Sequence, residues 1–183
     1  MSHQVGNENH EASPITRRVV LAAAAVAPLS IAPAAAAEPV AQLMARAAEK
    51  NAAFMRGDMQ RWSELVRIPA DFTLMQPFGG PASRGFDKSP ERLAEMARYF
   101  RNGKTDLELV QTFAAEDIVV LVFIERQTAE VGGLPEQDWS LRVSEVYRKT
   151  SSEWELVHRH ADPLVRRVTL EQAAALARGL VNE

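Results

Sequence analysis

The chain contains no cysteine among its 183 residues. This absence excludes disulfide bonds, thiolate metal sites and cysteine nucleophiles, so the fold must be stabilised by its packed core. A strong charge of one sign is missing too, because the formal net charge is -3 and acidic and basic residues are interspersed. With no basic stripe and no polybasic patch, we expect neither a nucleic-acid partner nor attachment to a charged membrane surface.

Two common catalytic signatures are also missing. The sequence has no Gly-x-Ser-x-Gly motif, which leaves no case for the nucleophile of a serine hydrolase. The glycine-containing segment Pro77-Phe78-Gly79-Gly80 lacks the spacing of a dinucleotide or phosphate loop. It is interpreted either as a rim loop that lets a ligand approach the backbone or as a plain turn. We expect no cofactor.

The N-terminus resembles an export signal of the twin-arginine type. Arg17 and Arg18 precede a mildly apolar, alanine-rich run that ends at Ala37, and two prolines interrupt this run before it reaches the length of a membrane span. We expect residues 1–37 to be cleaved, which leaves no stable membrane span and a periplasmic or secreted protein. A membrane-tethered N-terminus or a disordered tail is the alternative.

Residues 38–183 have the length of one compact domain. Its first half has helical periodicity, and its core is expected over residues 41–165. Apolar residues recur at helical spacing from Val40 to Phe54, which predicts a long first helix. The remaining predicted elements of this half, with the C-terminal helix, are a helix capped by Asp58, a strand at Asp71 to Met75, a helix from Ser89-Pro90 closed by Gly103, and a helix over residues 170–180 capped by Thr169 and Gln172.

The second half has the period of β-strands. The stretch from Ile118 to Ile124 is apolar on both faces, so we expect helices to cover one side and a second subunit the other, as in a homodimer. Short connections between the strands predict an antiparallel meander. Its four predicted strands are Leu107 to Phe113, Asp117 to Glu130, Trp139 to Lys149, and Trp154 to Leu164.

Both histidines of the mature chain lie on the predicted last strand. Strand alternation places His158, His160 and Asp162 on one face together with Trp154 and Leu156, and successive residues on that face are about 6.8 Å apart. The catalytic hypothesis makes His158 or His160 a general base and gives Asp162 the role of orienting the imidazole. A one-residue bulge would exchange the two faces.

Two other interpretations of this strand remain open. In the structural one, the imidazoles hydrogen-bond to neighbouring strands or lie in a subunit interface, and Asp162 ends the strand before Pro163. In the metal one, His158 and His160 bind zinc with Asp162 and with a carboxylate such as Glu125 or Glu145. Because residues 38–183 contain only two histidines for such a site, we expect no metal.

The preceding strand supplies three candidate ligand contacts. Arg142 has the chemistry to bind a carboxylate, although a salt bridge to Glu125 or Glu145 is the alternative. Glu145 and Tyr147 can also contact a ligand. The alternative for Tyr147 is a hydrogen bond to a neighbouring strand. Two aromatic residues complete the set of candidate contacts, Trp62, for which packing is the other interpretation, and Phe78.

Several segments together resemble the nuclear-transport-factor-2-like superfamily, and within it the SnoaL-like and ketosteroid-isomerase-like families. They are Trp62, Asp71 to Leu74 leading into Pro77 to Gly80 with Arg84-Gly85, Leu141 to Arg148, and Trp154 to Pro163. The resemblance implies an α+β, cone-shaped fold, in which N-terminal helices pack on a strongly curved antiparallel sheet. It also implies an apolar pocket at the open end of the cone and a dimer.

The resemblance leaves the activity open, because the superfamily includes isomerases, cyclases, dehydratases and non-catalytic binders. The aspartate and tyrosine pattern of ketosteroid isomerases is not matched by Asp71, Tyr99 or Tyr147. We expect an exported domain that binds a small, largely apolar or carboxylate-bearing molecule, with proton transfer of the isomerase, cyclase or dehydratase type. A non-catalytic ligand binder or a dimeric structural module is the alternative, so the sequence does not decide whether the protein is an enzyme.

Overall fold

A computed structural model describes residues 34–151 and 153–179. The paired arginines and most of the proposed signal lie outside these residues. The described helices are α1 (Ala34–Met55), α2 (Met59–Leu65), α3 (Pro90–Tyr99) and α4 (Leu170–Ala177). The strands are β1 (Thr73–Met75), β2 (Ser83–Arg84), β3 (Phe100–Ala114), β4 (Ile118–Val131), β5 (Leu134–Asp138), β6 (Leu141–Lys149) and β7 (Trp154–Pro163).

The helices after α1 begin where their capping residues predict. Asp58 accepts a hydrogen bond from the backbone N–H of Arg61, and Ser89 does the same for Arg92. Thr169 and Gln172 form the reciprocal capping box of α4. Within the described residues, no helix combines the length and the apolar character needed to cross a membrane.

The strands form one curled sheet in the order β2-β1-β7-β6-β4-β3, with β5 paired to the far end of β4. β3, β4, β6 and β7 pair antiparallel, which confirms the predicted meander, whereas β1 joins β7 in parallel. Helix α1 packs along β3 and β4. We call the sheet face toward α1 the inner face and the opposite face the outer face.

The core lies between α1 and the inner face. Alternate residues of β4 and β6 point inward and are buried, which is the pattern of a sheet with one covered face. The same core cluster includes residues of α2 and of the segment between α2 and β1. Its fully or almost fully buried members include Leu43, Ala47, Trp62, Phe72, Val119, Leu121, Phe123, Val143, Tyr147 and Leu156.

Three details of the predicted elements are wrong. Helix α3 ends at Tyr99, and Gly103 lies inside β3 instead of closing the helix. A Cβ on Gly103 would approach the carbonyl oxygen of Met55 to 2.5 Å, so glycine is needed there for close contact between β3 and α1. Two short strands were not predicted: β5 follows Gly133 and β2 precedes Gly85, and each pairs with a neighbouring strand.

The strict alternation predicted along the last strand is also wrong, because β7 has a bulge. Val146 pairs with His158, whereas the next residue, Tyr147, pairs with Leu156, so Val157 is the extra residue. The bulge shifts every following side chain to the other face. Leu156 therefore shares the inner face with Arg159, and the two histidines lie on the outer face beside β6 residues Val146 and Ser144.

Candidate functional site

A cavity of about 370 Å³ opens between α1, α3 and the inner face of the sheet. Its walls are mainly aromatic and aliphatic, and its volume is in the range of sites that hold small organic ligands. Aromatic rings close one side: the centroids of Phe54 and Trp62 are 6.0 Å apart, and those of Trp62 and Phe86 are 5.1 Å apart. The other apolar lining residues include Met55, Ile68, Phe72, Leu74, Met96, Phe100, Leu141 and Leu156.

A group of buried charges forms the floor of this cavity. Lys50 from α1 donates to Oε1 of Glu145 from β6 at 2.5 Å. Arg159 from β7 donates to the same oxygen at 2.9 Å and to Oε2 of Glu125 from β4 at 2.8 Å. We call Lys50, Glu125, Glu145 and Arg159 the charged floor. Its two cations and two anions balance, which is the condition under which buried charges are tolerated.

Glu145 is the centre of the charged floor. Its side chain is fully buried, and its second oxygen accepts a hydrogen bond from the hydroxyl of Tyr147 at 2.6 Å. Burial opposes ionisation, but the charges of Lys50 and Arg159 outweigh it and lower the pKa of Glu145 to about 2. Burial and the neighbouring Glu145 carboxylate raise the pKa of Tyr147 well above its usual value. Glu145 is therefore a fixed anion and Tyr147 a neutral donor.

The pKa values of the two cations, Lys50 and Arg159, shift in opposite directions. Burial lowers the pKa of Lys50, and the nearby Glu145 offsets part of this effect. Burial also disfavours the charged form of Arg159, but the carboxylates of Glu125 and Glu145 prevail and raise its pKa. Arg159 therefore stays charged at any ordinary pH, and Lys50 is the cation of the floor that loses its proton more readily than an exposed lysine.

Amide side chains continue the polar floor toward α1 and β5. Asn51 donates to Thr105 and to Gln127, both at 2.9 Å, and Gln127 in turn donates to the backbone oxygen of Trp139 at 3.0 Å. Asn51, Gln127 and Trp139 all line the cavity. These bonds occupy the amides with one another and hold the backbone before β6 in place.

A buried indole and a carboxylate of the cavity wall have hydrogen-bonding atoms that no described residue pairs. The indole Nε1 of Trp139 is buried and donates no hydrogen bond to any described residue. Glu125 accepts from Arg159 through Oε2, while Oε1 has no hydrogen-bond donor among residues 34–151 and 153–179. A buried donor without a partner costs about 1–3 kcal/mol, so such atoms in a cavity are expected to meet a ligand or water.

The candidate ligand contacts from the sequence divide between the cavity and its surroundings. Trp62 and Phe78 line the cavity. Glu145 and Tyr147 lie on the inner face but beneath the cavity surface, where Glu145 anchors Lys50 and Arg159. Arg142 lies on the outer face, 3.5 Å from a carboxylate oxygen of Asp162, away from the cavity.

The histidines also lie away from the cavity. His158 Nδ1 and Thr73 Oγ1 are hydrogen-bonded at 2.7 Å, and His160 Nε2 lies 3.4 Å from Asp162. Neither histidine nor Asp162 lines the cavity, because the bulge places all three on the outer face. In the portion that the structure describes, no three His, Asp or Glu side chains converge as a metal ion would require. Catalysis by these residues stays a prediction.

Sequence reasoning missed Lys50 and Arg159 and named Glu125 only as a possible zinc ligand or salt-bridge partner, although these three residues give the cavity its chemistry. One signal was available for Lys50, which falls on the apolar stripe of α1 with Leu43, Ala47 and Phe54. A lysine on such a stripe is buried only when it has a partner. Arg159 could not be predicted on the inner face without the bulge, because regular alternation places it on the other face of β7 from Leu156.

Comparison with known proteins agrees with the geometry. The sequence model of the SnoaL-like domain family matches residues 40–165. No curated protein matches the sequence. Among solved structures, an NTF2-like family protein from Streptomyces avermitilis is 22% identical with a TM-score of 0.57, covering 70% of this chain and 98% of its own.

Two further solved structures are similar to this chain. An NTF2-like superfamily protein from Salmonella enterica is 18% identical with a TM-score of 0.57, covering 73% of this chain and 94% of its own. A protein with a cystatin-like fold from Caulobacter vibrioides is 17% identical with a TM-score of 0.53, covering 77% and 99%. At these identities the likeness shows the fold alone, and it confirms the expected α+β class.

Proposed function

The chain belongs to the family of SnoaL-like domains, and we propose that it binds a small, largely apolar molecule inside the cavity. The observation that carries this proposal is the combination of aromatic walls, built by Phe54, Trp62 and Phe86, with a charged floor beneath them. Binding is favoured when an apolar ligand displaces water from apolar walls, and a few polar groups fix the orientation of the ligand.

Filling the cavity tests the proposal. Leu74 of β1 lines the cavity, and its neighbour Met75 is 44% exposed on the outer face, so the two residues form a matched pair. We expect Leu74→Trp to weaken binding of naphthol at least tenfold, because the larger ring occupies the ligand volume, and Met75→Trp to leave it unchanged. Calorimetric titration measures both, and equal affinity in the two variants would place binding outside the cavity.

Proton transfer is a second candidate function, and one carboxylate favours it. Glu125 is 1% exposed overall, yet Oε1 is unpaired in a cavity wall and the same side chain is fixed by Arg159 through Oε2. A carboxylate held in this way can remove a proton from carbon next to a carbonyl group, and the unpaired indole N–H of Trp139 can donate to the oxygen that becomes negative. Glu125 is therefore the base of this proposal, in place of the outer-face histidines.

Deuterium exchange gives a direct assay of such chemistry. Acetylnaphthalene carries methyl protons that a base can remove to form an enolate, and the carbon then takes deuterium from D₂O. We expect the wild type to accelerate this exchange and Glu125→Gln to slow it at least a hundredfold. Glu108→Gln is the matched control, since Glu108 pairs with Arg126 on the exposed outer side. Exchange that is equally fast in both variants would remove Glu125 from this role.

A homodimer through the outer face is also proposed. Ile118, Val120, Val122 and Ile124 form a half-buried apolar row on the outer face of β4, and β6 adds Val146 beside it. A sheet face of this composition is usually covered in soluble proteins. We expect Val122→Asp to convert the dimer to a monomer in light scattering after gel filtration, whereas Glu108→Gln keeps the dimer. A wild-type protein that is monomeric at every concentration would refute the proposal.

Export is proposed from the sequence of the N-terminus. Arg17 and Arg18 with the run up to Ala37 support a twin-arginine route and a mature protein outside the cytoplasm.

A further inference from the structure

We propose that the ligand is neutral and that its polar end is a hydroxyl group, which donates to Oε1 of Glu125 and accepts from the indole N–H of Trp139. This inference deepens the proposed binding function and rests on it. It assigns Trp139 and Glu125 as the residues that select the ligand, in addition to the apolar walls.

Most donors and acceptors around the cavity are paired with one another. The amides of Asn51 and Gln127 are bonded to each other and to neighbouring atoms, and Glu145 is fully used by Lys50, Arg159 and Tyr147. Next to these groups, Nε1 of Trp139 is buried without a partner, and Oε1 of Glu125 accepts no hydrogen bond from a described residue. One is a donor only and the other, when ionised, an acceptor only.

Glu125 and Trp139 lie beside each other across adjacent strands. Leu141 of β6 is directly opposite Glu125 of β4, and the backbone N–H of Trp139 donates to the carbonyl of Gln127 at 2.9 Å. Trp139 is therefore the diagonal neighbour of Glu125 on the inner face. Diagonal side chains have attachment points roughly 7–8 Å apart, which long and aromatic side chains can bridge through one small group.

A hydroxyl group has the chemistry that fits both atoms. A hydroxyl both donates and accepts, so it can satisfy the carboxylate and the indole together. A carboxylate ligand has no proton to donate at neutral pH and would meet the negative charge of Glu125. Lys50 and Arg159 do not compensate for this charge, because each is already paired with a carboxylate of the floor. The site thus favours an alcohol or phenol over a carboxylic acid.

Three probes with the same ring and the same point of substitution separate these effects. Naphthol donates and accepts, its methyl ether only accepts, and naphthoate is an anion at pH 7. For the wild type we expect naphthol to bind at least fivefold more tightly than the ether and at least thirtyfold more tightly than naphthoate. Calorimetric titration of the mature protein measures all three affinities under the same conditions.

Two variants then identify the selecting atoms. Glu125→Gln should weaken naphthol but leave the ether unchanged, and it should strengthen naphthoate at least tenfold because the repelling charge is gone. Trp139→Phe keeps an aromatic ring and removes the N–H, so it should weaken naphthol and the ether by the same three- to tenfold factor. Glu108→Gln, which alters an exposed Glu–Arg pair, should change none of the three affinities.

The two levels of the proposal fail in different ways. If no probe binds the folded wild type, the proposed binding function itself is refuted. If the probes bind but naphthoate equals or exceeds naphthol, or if the ether equals naphthol, only the inference about the hydroxyl is refuted. Should Glu125→Gln not fold, the shared loss of naphthol and ether affinity in Trp139→Phe, or its absence, still decides the role of the indole.

Discussion

Replacing Glu145 with glutamine removes the anion that three other side chains share. Lys50, Arg159 and Tyr147 all donate to this carboxylate, and its side chain is completely buried. In the variant, Arg159 keeps Glu125 as a partner, whereas Lys50 is left in the interior without an anion of its own. Removing one partner of a buried ion pair typically costs 3–5 kcal/mol. For a domain of this size, that loss corresponds to a melting temperature lower by about 10–15 °C.

Denaturant unfolding of the mature domain, followed by circular dichroism, measures the loss. Lys50→Met is the matched variant, and we expect it to cost less than Glu145→Gln, because Glu145 retains Arg159 and Tyr147. In the double variant the two costs should not add, with a coupling of at least about 1 kcal/mol. A Glu145→Gln protein that loses less than about 1 kcal/mol, or costs that add exactly, would refute the shared-anion account of the floor.

Acid should destabilise the wild type by about 3 kcal/mol as the pH falls from about 5 to 2, because the pKa of Glu145 in the folded state is about 2, below its ordinary value of 4.5. The stability that ionised Glu145 supplies is complete above pH 4.5 and is lost below it. Acid titration of Glu145→Gln should therefore lack this loss. Gly103→Ala should destabilise the fold by about 1–3 kcal/mol in urea, since the new Cβ meets the backbone of Met55; an unchanged midpoint would contradict the close approach. Replacing Arg17 and Arg18 with lysines should keep the precursor in the cytoplasm in a fractionation blot, and normal export would exclude the twin-arginine route.

Local signals explain why the helices were predictable. Asp58, Ser89 and Thr169 each cap a helix through atoms within three residues, so no distant contact is needed to place these starts. The α+β class was also predictable, because the change from helical to strand periodicity lies in the sequence itself. Gly103 was wrongly predicted to end a helix, because glycine is needed there for a close contact with Met55 of α1, which the local sequence does not show.

The site was less predictable, because its atoms come from four separate elements. Lys50, Glu125, Glu145 and Arg159 converge through a sheet register that the bulge at Val157 sets. A single extra residue in β7 exchanges the faces of all the following side chains, which no periodic pattern in that strand reveals. Glu145 and Tyr147 were predicted on the correct face of β6, where Glu145 binds Lys50, Arg159 and Tyr147, and their contact with a ligand stays a prediction.

The role of the two histidines on the outer face can be tested separately. The histidines, with Thr73 and Asp162 as neighbours, lie beside the apolar row proposed as the dimer interface. This position suits the structural interpretation of the histidine strand, in which the imidazoles serve sheet or subunit contacts. Comparing the oligomeric state of His158→Ala and His160→Ala with their ligand affinity distinguishes that role from catalysis.

A crystal structure of the mature protein soaked with naphthol would show whether the cavity binds this ligand. We expect the ring between Phe54, Trp62 and Phe86, with its hydroxyl oxygen within hydrogen-bond distance of Glu125 and Trp139. Naphthol bound elsewhere, or a cavity that holds only water at saturating naphthol, would contradict the claim that this cavity is the ligand site.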